Sequence, residues 1–227
     1  MGLRMGIRSR IGDLLLGLVG FLFFVCLSVV LVLNLRCIYY FDIDYLDLEA
    51  ETGYSEELIR ENYDALIDYN LLIKGVDKLE FPDFPMSDEA EIHFKEVKRI
   101  FVALQILCVV SGIVGLILLC RKLPRREYGG LKLISLLTFL VPIVLGVCAA
   151  LDWEAFFVRF HELFFQNDYW LFDPITDPVI LILPDMFFAH CAAAILLILF
   201  LGGILTGIAY RLLKRKNKRQ QAGPAGE

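Results

Sequence analysis

Four apolar runs punctuate the chain, at roughly Ile11–Leu35, Ile100–Cys120, Leu131–Leu151 and Met186–Tyr210. A helix needs about 20 residues to cross a hydrocarbon core, and each run reaches that length almost free of charge. The pattern therefore predicts an all-α membrane protein with four transmembrane helices. The first run is too long for the apolar core of a secretory signal, and no small-residue cleavage site follows it, so it reads as a retained helix.

Two polar segments separate the spans on one side. The first, about residues 36–99, opens with Tyr39, Tyr40, Ile43, Tyr45 and Leu46, which read as an extended or interfacial stretch. In YSEELIRENYDALIDYNLL the apolar positions recur at helical spacing, with Ser55 as N-cap and Glu56 and Glu57 in the first turn. Two prolines in FPDFPMS forbid a continuing helix there. Ser87 then caps a helix through SDEAEIHFKEVKRIF that runs directly into the second span, placing His93 about two turns above the membrane. The second segment, 152–185, holds FFVRFHELFFQNDYWLFDPITDP. From Trp153 to Gln166 its period is helical, with Trp153, Phe156, Phe157, Phe160 and Phe164 on one stripe. Ala155, Arg159, Glu162 and Gln166 fall opposite. His161 lies on the stripe's flank, with Glu154 two turns away on the same side. The Asn-Asp and Asp-Pro pairs that follow are turn signals.

Charge adds an orientation. Fourteen of the 22 basic residues cluster at the N-terminus (Arg4, Arg8, Arg10), the 121–132 turn and the tail (Arg211–Arg219), against only Asp13, Glu127 and Glu227. An excess of Lys and Arg marks the cytoplasmic side, so both termini are expected inside and both polar segments outside. Between Asp42 and Val97 the first segment instead carries 17 acids against 4 bases, an acidic extracellular domain. The overall charge of −5 and mean hydropathy of +0.64 average over this split. The chain thus divides into 1–35 (N-terminus and first span), 36–99, 100–151 (second and third spans with the basic turn), 152–185, 186–213 (fourth span) and a basic, irregular tail at 214–227. The tail reads as a topology anchor touching anionic lipid, with no nucleic-acid partner.

Candidate chemistry is sparse. Five of the six cysteines lie in or at the ends of spans and no CxxC pair exists, which leaves neither a zinc knuckle nor a redox motif. HELFF begins like a zinc-binding HExxH, but position 165 is Phe. There is no GxSxG and no P-loop. Of the three histidines, His93 and His161 are expected at similar height above the outer leaflet, where antiparallel packing would bring them together as proton-transfer groups. His190, a turn inside the last span, is either functional or satisfied by a neighbouring helix.

MSDEAEIHFKEVKRIF (Met86–Phe101) and LDWEAFFVRFHELFFQNDYWLFDPITDPVILILPDMFF (Leu151–Phe188) resemble the bacterial lipoprotein intramolecular transacylase family, Lit, as does the four-span layout with one acidic outer segment. One departure is Glu96, where Asp is expected in many members. The resemblance implies a multi-pass protein of the bacterial cytoplasmic membrane, active at the extracellular leaflet on a diacylglyceryl-modified lipoprotein amid membrane lipid. It would move the sn-2 acyl chain onto the cysteine α-amine, giving the lyso-form, with no cofactor, no metal and no obligatory protein partner. His161 and His93 would then be catalytic. Glu154, Asn167, Trp170, Asp173 and Asp177 would orient them, donate to an oxyanion or contact the substrate. Two other readings compete: a non-enzymatic adaptor or sensor using the acidic segment, and a zinc-dependent membrane hydrolase. A transporter fits worst, since the spans lack broken helices and midplane charges.

Overall fold

The structure, a computed structural model, describes residues 2–222, with side chains from Ser9 to Gln221. The side chains of Arg4 and Arg8, and the final Gly-Pro-Ala-Gly-Glu, lie outside what is described. All regular structure among the described residues is helical: α1 (Gly2–Asn34), α2 (Arg36–Tyr45), α3 (Leu48–Thr52), α4 (Glu56–Asn70), α5 (Asp88–Lys122), α6 (Gly129–Leu151), α7 (Trp153–Phe164) and α8 (Asp185–Ala222), with 3-10 turns at Leu72–Lys74 and Pro178–Ile182. Helices α1, α5, α6 and α8 are long and apolar enough to cross a membrane, with mean hydropathies of 3.0, 2.7, 2.6 and 2.5 over their best windows. Large apolar side chains on them, among them Val109, Leu116, Leu197 and Leu205, point outward. An aqueous fold would bury such residues; a lipid-facing one has no reason to.

The chain forms two compact units. One comprises Met1–Ser28, Leu107–Gly146 and Leu196–Glu227. Lipid supplies no hydrophobic drive between helices, so close packing at small residues holds this unit. Gly17 and Gly20 of α1 lie against Leu133 and Ile134 of α6, where an added Cβ would clash with each side chain. The Ser135 hydroxyl of α6 donates to the carbonyl of Gly203 on α8 at 2.9 Å. At one end of the unit the buried Lys122 ammonium donates to Asp13 Oδ1 (2.7 Å), Glu127 Oε2 (2.8 Å) and the Ser9 carbonyl (3.1 Å). The cation spends all three of its N–H groups, which is what makes its burial tolerable.

The other unit comprises Val29–Ile106 and Val147–Ile195. Its core is aromatic and aliphatic: Tyr39 stacks on Tyr63 at 3.7 Å between centroids, and Ile43, Ile59, Val179 and Ile182 are fully enclosed around them. The Tyr39 hydroxyl donates to the Ile182 carbonyl at 2.6 Å. Val179, Ile182, Leu183 and Phe187 complete the core of the acidic segment. Both expected caps form, Ser55 Oγ accepting from Leu58 N–H at 3.3 Å and Ser87 Oγ from Ala90 N–H at 3.1 Å. As expected, α5 runs without interruption from Asp88 into the second span.

Two expectations fail. The stretch that reads as extended or interfacial is not extended: it is helical to Tyr45 as part of α2, with Tyr39, Asp42 and Ile43 on one buried face at spacings of three and one. Its entry lacks a side-chain cap, so no start signal marks it in the sequence. The tail is not irregular from Lys214: α8 continues to Ala222, since Lys, Arg and Gln are good helix formers.

Replacing Lys122 with Met would leave Asp13 and Glu127 facing each other without their cation. We expect a loss of about 3–5 kcal/mol, read as a lowered thermal unfolding midpoint in detergent. Adding Asp13→Asn and Glu127→Gln to that variant should recover much of it.

Candidate active site

The second unit brings His93 of α5 and His161 of α7 together, with ring centroids 6.2 Å apart. α7 starts where expected, at Trp153, because Asp152 Oδ1 accepts from the Ala155 N–H at 3.0 Å. The aromatic stripe on it divides. Trp153, Phe157 and His161, spaced by four, are half-buried, whereas Phe160 and Phe164 are exposed. His161 is thus on the inward face and not on its flank.

His161 sits between Phe157, at 4.2 Å, and the stacked Trp170 indole, at 4.6 Å. Its Nδ1 is 2.8 Å from the Phe157 carbonyl. A carbonyl only accepts, so Nδ1 carries the proton and the neutral ring presents its lone pair at Nε2. Burial lowers its pKa below the usual histidine value, partly opposed by that hydrogen bond. His93 is 5% exposed and meets the edges of Phe165 (4.6 Å) and Phe172 (5.5 Å). Its Nδ1 is buried and has no hydrogen-bond partner. Burial, and next the nearby His161, push its pKa down to about 4. Both rings are therefore neutral at pH 7. Each is a base with an available lone pair and a weak N–H donor, held in an apolar wall that strengthens any hydrogen bond made inside it.

The remaining candidates take different places. Asn167 Nδ2 donates to both oxygens of Glu96, each at 3.2 Å, one turn along α5 from His93. This clips the loop carrying Trp170 onto the helix carrying His93. Trp170 touches His161 directly. Glu154 is exposed and makes no hydrogen bond to either imidazole; the Phe157 carbonyl does the orienting instead. Asp173 is exposed and spends its side chain on the Ile175 N–H at 2.9 Å, a local turn. Asp177 is buried: Oδ1 accepts from the Ser87 N–H at 2.7 Å and Oδ2 from the Thr176 hydroxyl at 2.8 Å. It fixes the start of α5. Neither aspartate is directed at a histidine by any hydrogen bond.

Sequence reasoning missed the partner of His190. Its Nδ1 lies 2.7 Å from Oδ1 of Asp42, a fully buried residue whose Oδ2 has no partner. The two are 148 residues apart, beyond any periodicity. Phe165, the closest ring to His93, was also missed as a site residue. All six cysteines are free, and among the described residues no three His, Cys, Asp or Glu side chains converge as metal ligands.

Four lipid-facing helices and a pair of neutral imidazoles in an aromatic wall define a membrane-integral protein equipped for proton transfer. The family model described as lipoprotein intramolecular transacylase Lit matches residues 14–188. This chain belongs to that family, and is a membrane-integral bacterial acyltransferase. It is similar to the in meso structure of the membrane-integral lipoprotein intramolecular transacylase Lit from Bacillus cereus, with TM-score 0.91 and 35% identity over 94% of this chain and 99% of that one. Two variants of that protein, with a histidine replaced by arginine or by alanine, match at TM-scores of 0.85 and 0.86 and 34% identity. They cover 95% and 96% of this chain and 96% and 100% of theirs. A comparison with curated proteins gives no match.

His190→Leu would strand the Asp42 carboxylate in the core without a partner. A destabilisation of about 3–5 kcal/mol is expected, and a smaller one, about 1–3 kcal/mol, for Asp42→Asn, which keeps a hydrogen bond to the ring. Denaturation monitored by circular dichroism tests the ranking.

Proposed function

We propose that this protein moves the sn-2 acyl chain of a diacylglyceryl-cysteine lipoprotein onto the α-amine of the same cysteine, giving the lyso-form. The observation that carries the reading is the pair of neutral imidazoles 6.2 Å apart in an apolar wall. Two bases at this spacing reach different substituents of one tetrahedral carbon.

The amine nitrogen attacks the ester carbonyl. His161 Nε2, left basic by the hydrogen bond at Nδ1, takes the proton the nitrogen sheds. The intermediate's oxygen carries negative charge, and an N–H of His93 stabilises it; the Trp170 indole is a second donor within the same wall. Collapse breaks the acyl–oxygen bond, and His161 returns its proton to the departing sn-2 glyceryl oxygen. One amide bond forms, one ester bond breaks, and the proton travels from nitrogen to oxygen. No external acyl donor enters. Because amine and ester belong to one molecule, holding them in attack geometry supplies much of the rate, with effective molarities of about 10⁵ M or more for well-oriented pairs.

This reading places both termini in the cytoplasm and the histidines at the outer leaflet. The support is the crowding of Lys and Arg at the opposite helix ends. The cysteine's own ester is common to all such substrates, so discrimination among lipoproteins is expected to be weak.

Mass spectrometry of an N-terminal lipopeptide tests the reaction in a host lacking other N-acylating enzymes. The acyl chain changes place without changing the mass, so fragmentation must locate it. Amide-linked acyl on cysteine beside a monoacylglyceryl group is expected, and neither His161→Ala nor His93→Ala should produce it although both insert in the membrane. An intact diacylglyceryl form with a free amine, despite verified expression, would overturn the reading.

The pH profile follows from the same assignments. A free α-amine titrates near ~8, and only its neutral form attacks, so log kcat/KM should rise with unit slope up to that point. His161 loses its basic form only below its lowered pKa, where the slope should steepen to two. A second break at or above the usual histidine value, about 6.5, would contradict the burial of His161.

A further inference from the structure

Most apolar side chains of the acidic segment are enclosed, yet its 3-10 turn presents Leu72 at 51% and Ile73 at 90% exposure. The direction of α4 explains where that turn lies. On α2, Tyr40 donates to Asp64 at 2.8 Å, whereas Arg36 pairs with both Asp64 (2.6 Å) and Asp68. Moving forward along α4 is therefore moving back along α2, toward Arg36, two residues beyond the end of α1. The end of α4 therefore lies beside Arg36, next to the end of α1.

Its end is fixed to one of them. Gln105 Nε2 donates to the Asn70 carbonyl at 2.9 Å, and Gln105 Oε1 accepts from the Leu72 N–H at 3.0 Å. Gln105 is five residues inside the apolar run that begins at Ile100, about 7 Å along the helix axis. Its side chain leans back toward the helix N-terminus, which sets the turn a few ångströms below the start of that run. A belt of charge lies just above. Lys98 of α5 stands 4.2 Å over the Tyr69 ring and donates to the Val76 carbonyl, and Lys74 pairs with Asp68 at 3.2 Å. A single glutamine amide thus takes one carbonyl at the end of α4 and one N–H of the turn, tying both to α5.

We infer that the Leu72–Ile73 turn is a lipid anchor, inserted among the acyl chains of the leaflet that the second span enters at Ile100. Leu72 and Ile73 take the hydrocarbon, while Lys74 and the Lys98 belt stay with the headgroups, the ordinary division between apolar tip and snorkelling cation. The anchor holds the acidic segment at a set depth on the helix that carries His93. This goes beyond acyl transfer and does not depend on it.

Site-directed spin labelling tests it. A p-acetylphenylalanine at position 73, coupled to a hydroxylamine nitroxide, leaves the native cysteines alone. The reference label sits at Glu80, whose side chain is 74% exposed. The full chain is reconstituted in phosphatidylethanolamine–phosphatidylglycerol vesicles, and collisions with oxygen, which enriches in lipid, are compared with those of a water-soluble nickel chelate. At 73, oxygen should dominate and most of the nickel accessibility seen at 80 should be lost. Nickel accessibility at 73 equal to or above that at 80 would overturn the anchor, whatever the outcome of the acyl-transfer assay.

Discussion

Hydrocarbon offers no hydrogen bonds, so a chain entering it must already be helical and must stay so. That constraint makes α5 one unbroken rod from Asp88 onward, and the second unit is built along it. Asp177 grips the N–H of Ser87 at its start. His93 follows within two turns, Glu96 one turn later takes the amide of Asn167, and Gln105 receives the end of α4. A loop, an aromatic wall and a domain are thereby registered to one axis. A single shift in where α5 begins would move all of these attachments together.

The aromatic wall does more than fill space. Removing water from around two imidazoles penalises their charged forms, and the nearby His161 adds to that penalty at His93. The consequence is a matched pair of neutral groups, able to accept and donate protons without carrying charge into an apolar site. Hydrogen bonds to backbone suit this better than a carboxylate would. A buried Glu beside His161 would favour imidazolium and draw off the lone pair; the Phe157 carbonyl fixes the ring while leaving it neutral. The exposed position of Glu154 is consistent with that economy.

Much of this was legible in the sequence, for physical reasons. Long apolar runs, Ser caps and proline breaks are local signals, and they located the spans, α4, α5 and α7. The nearness of His93 and His161, 6.2 Å between ring centroids, followed from counting residues to the span ends. What escaped was non-local or unsignalled. α2 lacks a side-chain cap and is rich in tyrosine, a middling helix former, so its pattern read as extended. Asp42–His190 joins the first segment to the last helix, and no period links them. Asp173 and Asp177 read equally as substrate contacts or as turn residues, because the two are compositionally alike; only their hydrogen bonds separate the clamp from the turn.

The buried polar groups divide along the same line. Lys122 has all its protons taken, and Asn62 is tied to Asp83 and to the Leu58 carbonyl. Such groups hold the fold and offer nothing further to bind. His93 differs: a buried nitrogen without a partner costs about 1–3 kcal/mol, and it faces the one other imidazole of the site across 6.2 Å. Packing alone would be better served there by Phe, which matches its neighbours and has no polar atom to strand. In the proposed reaction a reacting oxygen of the substrate is the partner that would recover that cost.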